Sequence, residues 1–403
     1  MYTVFDLSNS VAGILSGLDL NNVDDLYGAY ERAARTFIQK ADVPEASQTE
    51  NITLYDGVYD FPCPSYIFGT AVKDIRPQGL NRTLSDYTYK RPGEIFDRTK
   101  GFLSNGTMFS FDYYNGTPVM RIKSTIPQSQ NVIDPMTAVN NWAVGGVASS
   151  LVQDTAVYYQ SPASLRFQLG TGTGTLTETL ANSVNLASYQ GVGVAFLAID
   201  AVTAASNLTS INLELGSSAS NYSSVTATQG FLGNWVNNQW LLVPFDFSTA
   251  VNTGTPNWSA INYIKCSFVT SGNIVNFRTG DLFISQPSPA QILYQSAAIF
   301  IPVNATVPQT TITANTDSIT LNDAAFTILQ FESAYAILQQ TGGGAADASM
   351  AQISATLNGS RTRTGVVIAE GLYDLYRGDN PTEVLRSVGN YYEDNNTYGR
   401  NWA

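Results

Sequence analysis

The chain has 403 residues, a net charge of -12 and a pI of about 4.4, and only 13% of its residues are charged. This acidity argues against a free nucleic-acid-binding protein, whose surface is normally basic. The absence of histidine excludes Ser-His-Asp and Cys-His nucleophile systems and removes the commonest metal ligand.

The small number of cysteines and the lack of long apolar stretches further narrow the class of protein. Cys63 and Cys266 are the only cysteines, so we expect neither a disulfide framework nor a thiolate metal site. No stretch approaches the roughly 18 apolar residues of a membrane span, and the first residues lack the basic start of a signal peptide. The sequence therefore predicts a protein made in a cytosol, without membrane contact or cofactor.

The chain begins with predicted helices between residues 2 and 41. Apolar residues from Val23 to Ile38 recur at helical spacing, and Asn21 or Asn22 is a suitable cap. A strand is expected at Glu50–Leu54, followed by a turn and an extended segment with paired prolines.

The stretch from Lys73 to Lys100 is the most basic part of this acidic chain. It is either an ordinary solvated face or a docking loop for an acidic partner surface. The docking hypothesis rests on five basic residues: Lys73, Arg76, Arg82, Lys90 and Arg91.

A β-hairpin is predicted next, with strands Met108–Tyr113 and Val119–Ile122. Asn115-Gly116 between alternating apolar residues is a strong hairpin signal.

Residues 136–286 predict an antiparallel β-sandwich of jelly-roll type. Six short apolar segments alternate with polar turns, and the stretch is less charged than its flanks. Pro127–Gln130 and Pro287–Pro289 are predicted to be hinge linkers. The six predicted strands are Ser164–Leu169, Val192–Leu197, Ile211–Leu215, Trp240–Phe245, Tyr263–Phe268 and Asp281–Ser285.

After the sandwich, residues 291–303 are expected to resume the sheet begun at Met108. Helices are predicted at 324–340, capped by Asn322 or Asp323, and at 345–357, followed by a third apolar segment at 366–376. The aromatic tail from Tyr391 is either disordered or an arm ordered by a neighbour.

The fold class is thus α+β with several domains. The predicted helices near both chain ends have an apolar face that cannot remain exposed. These helices should therefore meet in a bundle with a small β region. Residues 1–130 with 290–403 would form this discontinuous domain, and 136–286 the sandwich inserted into it.

Most of the tryptophans lie in the predicted sandwich. Such rings stack on sugars in carbohydrate-binding modules, or they fill the core; Trp240 is expected in the core. Trp235 and Trp258 lie in turn-like sequence and, with Tyr222, are the candidates for stacking on a glycan.

The other residue patterns in the sequence give little indication of a metal or catalytic site. Asp281 is either a turn carboxylate or, by resemblance to carbohydrate-binding-module-like jelly rolls, a ligand of a structural calcium. Glu178 and Glu214 are the only glutamates of the sandwich, and nothing in the sequence places them across a cleft. Gly170–Gly174 is expected to be a flexible loop. No catalytic residues are predicted.

The outer segments resemble the head-to-tail adaptor (connector or neck) proteins of tailed bacteriophages. The resemblance rests on the helix Asp24–Phe37, the segment Leu54–Pro64 after it, and the helix containing Ala325–Ala334. In that family a helical bundle formed by both chain ends carries a β-rich insertion. The long carbohydrate-binding-module-like insertion here departs from the simplest adaptors.

The resemblance implies a homo-oligomeric ring, commonly a dodecamer, beside portal and tail or neck proteins. Packaged DNA would be met only in the ring lumen. The expected function is therefore that of a non-enzymatic virion structural protein of the neck, made in the bacterial cytoplasm. The alternatives are a tail-fibre or other host-recognition protein whose sandwich binds glycans, and, third, a polysaccharide-degrading enzyme.

Overall fold

The computed structural model describes residues 2–16, 18–41, 43–64, 67–77, 88–89, 108–114, 117–123, 130–341, 344–361 and 367–379. Over these residues the chain is an α+β protein built mostly from antiparallel sheets. None of the described helices is both long enough and apolar enough to cross a membrane.

Five described helices lie toward the two ends of the chain. They are α1 (Val4–Ile14), α2 (Leu26–Lys40), α3 (Asp323–Thr341), α4 (Gly344–Asn358) and α5 (Leu372–Asp379). Side-chain caps fix the starts of three of them: Thr3 caps α1 in a capping box, and Asn322 accepts a hydrogen bond from the amide of Ala325 in α3. Asp25, rather than Asn21 or Asn22, caps α2 because its carboxylate accepts from the amide of Gly28.

Helices from the two chain ends pack in one apolar cluster. Phe37 of α2 and Ile328 of α3 are both fully buried there. Glu332 of α3 accepts hydrogen bonds from Lys40 of α2 at 2.8 Å and from the hydroxyl of Tyr373 of α5 at 2.6 Å. The two ends are therefore in contact, whereas their arrangement as a helical bundle stays a prediction.

Strands account for most of the remaining regular structure. In chain order they are β1 (Tyr2–Thr3), β2 (Ser47–Leu54), β3 (Asp60–Pro62), β4 (Ile67–Pro77), β5 (Thr88–Tyr89), β6 (Met108–Tyr114), β7 (Thr117–Lys123), β8 (Gln130–Asp134), β9 (Trp142–Asp154), β10 (Ser164–Val184), β11 (Val194–Asp200), β12 (Leu208–Ser218), β13 (Asn221–Ala227), β14 (Trp240–Asp246), β15 (Val251–Thr253), β16 (Ile261–Thr270), β17 (Ile274–Ser285), β18 (Ser288–Ser296), β19 (Phe300–Ile301), β20 (Ser318–Ile319), β21 (Ser360–Arg361) and β22 (Val367–Ala369).

The strand order of the smaller sheets contradicts the prediction that residues 291–303 resume the sheet begun at Met108. Strands β6 and β7 form the predicted hairpin, in the sheet β3-β7-β6-β5, but residues 291–303 do not join it. Instead β18 lies between β2 and β4, and β19 pairs with β20. Pro289, expected in a linker, lies in β18 opposite Thr53 of β2.

Ten strands form the sandwich predicted in the middle of the chain. Their order is β14-β11-β17-β10-β16-β12-β13-β15, with β8 beside β17 and β9 beside β10. All six predicted strands lie within or overlap strands of this sheet. The sheet curls around one apolar core whose members run from Ile133 to Ile284.

The long strand β10 passes from one half of the curled sheet to the other. Its first part pairs with β17 and its second part with β16. Leu169 before the bend and Leu176 after it both face the core, although their spacing is odd. The register shift between them falls at Gly170–Gly174, where a Cβ at Gly174 would meet Leu169 at 2.6 Å. The expected flexible loop is therefore a bent strand, and glycine is needed for the close approach.

A third apolar cluster joins the sandwich to the smaller sheets. Phe196 of β11 and Phe283 of β17 point outward from the sandwich core and stack at 5.4 Å. Tyr55 and Phe231 make edge-to-face contacts with Phe196, and Phe61 makes one with Phe231. Packed aromatic rings therefore attach the sandwich to the smaller sheets, in addition to the covalent connections of the chain.

Candidate functional site

One row of side chains crosses five strands on the outward surface of the sandwich. In register from β14 to β9 the row contains Trp240, Asp200, Arg278, Arg166 and Val152. Residues directly opposite each other in antiparallel strands point to the same side of the sheet. We call this row, with Asp154 and Tyr159 beside it, the Trp240 face.

Two buried carboxylates and the half-buried Arg278 form the floor of the Trp240 face. Arg278 donates from Nε to Asp154 at 2.9 Å and from Nη1 to Asp200 at 3.2 Å. Burial would raise the pKa of the Asp154 carboxyl, but hydrogen bonds from Arg278 and from the amides of Ala156 and Val157 outweigh it and hold the pKa below its ordinary value. These three side chains therefore form a fixed ion network beneath the exposed residues of the Trp240 face.

Aromatic rings stand at one end of this face. Trp240 is half-buried, and its ring lies 6.0 Å from that of Tyr159 at an angle of 48°. The next residue of the loop, Tyr158, is 45% exposed. Rings that are partly exposed and supported from behind suit the apolar face of a sugar.

Asp281 fixes the loop that carries these tyrosines. Its carboxylate accepts hydrogen bonds from the amides of Gln160 and Ser161, at 2.9 and 3.1 Å, and from the Ser161 hydroxyl. It lies within β17 rather than at its start, and its φ of 49° is in the left-handed region. Among the described residues no group of three or more acidic or cysteine side chains could hold a metal. The carboxylate thus positions a loop, and the calcium hypothesis gains no further ligand.

A second outward surface, the Tyr222 face, lies on the other half of the curled sheet. It comprises Tyr222, Tyr263, Glu214 and Lys265, and its two tyrosine rings are 6.2 Å apart. Glu214 accepts hydrogen bonds from Lys265 at 2.9 Å and from the Tyr263 hydroxyl at 3.3 Å. Burial, together with Glu214, raises the pKa of Tyr263 to about 12. The polar groups of this face therefore bind mainly one another.

Two tryptophans lie elsewhere than the sequence suggested. Trp258 is only 4% exposed, packs edge-on against Phe247, and donates its indole N–H to Ser223 at 3.3 Å. It is therefore not accessible for stacking on a glycan, whereas Trp240, which was expected in the core, is half-buried. Trp235 is half-buried as well, beside the sandwich core, and its stacking role stays a prediction.

The outward position of Trp240 follows from the alternation of strand β14. Leu241, Val243 and Phe245 all face the core, which turns Trp240 and the charged Asp246 outward. The sequence does not show this alternation, because Trp240–Phe245 is a continuous apolar run.

A pair of acids that the sequence did not reveal lies at the entry to the sandwich. Glu178 of β10 is 2% exposed and is within hydrogen-bonding reach of Asp134 of β8. Burial first, and the Asp134 carboxylate second, raise the pKa of Glu178 to about 7. Glu178 and Glu214 lie on opposite sides of their sheet, as the alternation of core residues requires. A raised pKa keeps Glu178 protonated in acidic solution, and this protonation reduces the charge repulsion with Asp134.

The predicted basic docking residues are only partly within the described structure. Lys73 and Arg76 lie on β4, whereas Arg82, Lys90 and Arg91 lie outside the described residues. Their docking role stays a prediction.

An apolar groove of about 300 Å³ lies beside β3 and β7. Its lining includes Pro62, Cys63, Val119 and Leu232. Burial raises the pKa of the Cys63 thiol to about 11, so the thiolate required for nucleophilic chemistry is disfavoured at neutral pH. Both cysteines are free, as the sequence predicts.

Comparison with known proteins gives similarity of fold over part of the chain. No family model matches the sequence, and no curated protein matches it. The family 30 carbohydrate-binding module of the cellulosomal cellulase Cel9D-Cel44B of Clostridium thermocellum is 16% identical, with a TM-score of 0.30, over 39% of this chain and 98% of that one. A xylan-binding domain of carbohydrate-binding module 22 is 14% identical, with a TM-score of 0.25, over 39% of this chain and 93% of that one. At this identity the likeness assigns no ligand to this chain.

Proposed function

We propose that the sandwich binds carbohydrate through the Trp240 face and acts by binding, without catalysis. The observation that carries the proposal is the pairing of half-exposed aromatic rings with an adjacent, fixed network of hydrogen-bonding groups. Carbohydrate sites combine an apolar ring face for stacking with a few precisely placed polar groups that set orientation.

The preorganisation of the face adds to this support. The Asp281 carboxylate holds the loop that bears Tyr159, and Arg278 is held by two buried carboxylates. A surface that is rigid before binding loses less conformational entropy when a ligand arrives. The left-handed backbone at Asp281 is the kind of local strain that folds retain where a loop position matters.

A glycan array tests the proposal directly. Wild-type protein and Trp240→Ala are applied to the same array, with Trp258→Phe as a control that alters a buried tryptophan of the same sandwich. We expect glycan signals for wild type and Trp258→Phe, and their loss in Trp240→Ala. A blank array with folded wild-type protein would reject the carbohydrate proposal.

For the α+β part formed by the two chain ends we propose the assembly role that the sequence suggests, a ring component of a phage neck. Support comes from the hydrogen bonds between the ends: the Tyr2 hydroxyl donates to Asp323, and Glu332 accepts from Lys40 and Tyr373. In this proposal the joined ends carry the inserted sandwich on the outside of the ring.

Light scattering of the purified protein and mass spectrometry of virions test this second proposal. We expect a ring-sized homo-oligomer and a fixed copy number per particle. A strictly monomeric protein that is absent from particles would overturn the assembly role and would leave the carbohydrate proposal standing.

A further inference from the structure

The Trp240 face has a second potential contact at its far end. Arg166 lies in the same row as Trp240, separated from it by β11 and β17. Three inter-strand steps of roughly 4.8 Å place the two positions about 14 Å apart. This span exceeds the reach of a single sugar ring stacked on Trp240.

The guanidinium of Arg166 is open to solvent at this end. Its side chain is 41% exposed, and Nη1 lies 3.9 Å from Oδ2 of Asp154, at the long limit of an ion pair. Asp154 is already engaged, since Arg278 donates to Oδ2 and the amides of Ala156 and Val157 donate to Oδ1. Because guanidinium carries five N–H donors, Arg166 retains donors for a ligand.

The two arginines of the row therefore differ in role. Arg278 is 12% exposed in its side chain and is bound by two carboxylates, whereas Arg166 has one distant carboxylate. Beyond Arg166 the row ends at Val152, which is 41% exposed, so this end of the face is open.

We propose that Arg166 forms a distal subsite, so that the face selects linear oligosaccharides lying across the strands over single sugars. The aromatic end holds one sugar by stacking, and Arg166 donates hydrogen bonds to oxygens of a sugar further along the same chain. This inference rests on the carbohydrate proposal for the Trp240 face.

Calorimetric titration with a fragment series tests the subsite. The tightest linear glycan of the array and its own fragments, down to the monosaccharide, are titrated into wild type, Arg166→Gln and Trp240→Ala. In wild type we expect affinity to rise at least tenfold between the monosaccharide and the longer fragments. In Arg166→Gln we expect that rise to vanish while monosaccharide affinity is unchanged, and in Trp240→Ala we expect all fragments to weaken.

Three outcomes distinguish failure of the distal subsite from failure of the carbohydrate proposal. An undiminished length dependence in Arg166→Gln overturns the distal subsite and leaves the Trp240 face intact. Equal weakening of the monosaccharide and the longer fragments in Arg166→Gln also overturns it, because it would indicate a general effect on the face. Binding that Trp240→Ala does not weaken overturns the carbohydrate proposal for this face. The thermal midpoint of each variant shows whether it is folded.

Discussion

The two outward faces of the sandwich use similar residue types in different ways. On the Tyr222 face, Glu214, Lys265 and Tyr263 bind one another, and the rings lie close above a satisfied network. On the Trp240 face the carboxylates bind Arg278 from below, and the rings and Arg166 keep exposed surface. The comparison shows that composition alone does not define a binding face; what matters is which polar groups are left with open donors or acceptors.

The floor of the Trp240 face offers the largest expected effect. Arg278→Met leaves Asp154 and Asp200 buried without their cation, and we expect a loss of about 3 kcal/mol in the free energy of unfolding. Arg166→Met is the matched control, because its side chain is exposed and its ion pair is long; we expect a change below about 1 kcal/mol. Urea unfolding measures both, and equal losses would contradict the assignment of Arg278 to a buried network.

The second prediction concerns the binding contrast between the faces. Trp240→Ala removes the stacking surface, and we expect at least about a tenfold loss of glycan affinity, which corresponds to about 1.4 kcal/mol. Tyr222→Ala should leave affinity unchanged within about twofold. Titration calorimetry on both variants checks the pair, and the reverse pattern would move the binding site to the Tyr222 face.

The acid pair beneath the Tyr222 half of the sheet predicts a pH-dependent stability. Folding raises the pKa of Glu178 from 4.5 to about 7, so the folded state binds a proton that the unfolded state releases. Stability is therefore full below about pH 4.5 and is lost as the pH rises through about 7, by on the order of 2 kcal/mol. Urea unfolding at pH 5 and pH 8 measures this.

The control is the same measurement on Glu178→Gln, which lacks the titrating group. We expect its stability to change less between the two pH values than that of wild type. An identical change in both proteins would show that the pair does not titrate in this range.

The smallest effect is expected from the Tyr222 network itself. Glu214→Gln weakens the interaction with Lys265 and Tyr263 while keeping a polar side chain in place, and we expect a loss of about 1 kcal/mol in the free energy of unfolding. Glycan affinity should not change. A loss of affinity without a loss of stability would indicate that Glu214 contacts ligand.

Local pattern predicted much of the fold. The helix α3 and the six sandwich strands follow from apolar periodicity, and Asn322 was identifiable as a cap. The position of β18 between β2 and β4 was not predictable in the same way, because strand partners are chosen by long-range packing. From sequence alone, the prolines at the start of β18 predict a linker there instead of a strand.

The candidate site was harder to predict than the fold. The outward position of Trp240 is not visible in the continuous apolar run Trp240–Phe245, and the row joins residues whose registers the sequence does not give. The Asp134–Glu178 pair was invisible for the same reason, since β8 pairs with β17 and the sequence does not give that pairing.

The row of the Trp240 face has a consequence for the stage of folding at which the face forms. Its five members come from five strands, and Val152 and Arg278 are separated by most of the sandwich sequence. Contacts between such distant segments form late and slowly, because long loops must close before any pairing is gained. The face therefore comes into existence only with the completed sheet. No proteolytic fragment or nascent chain that lacks β17 would display it.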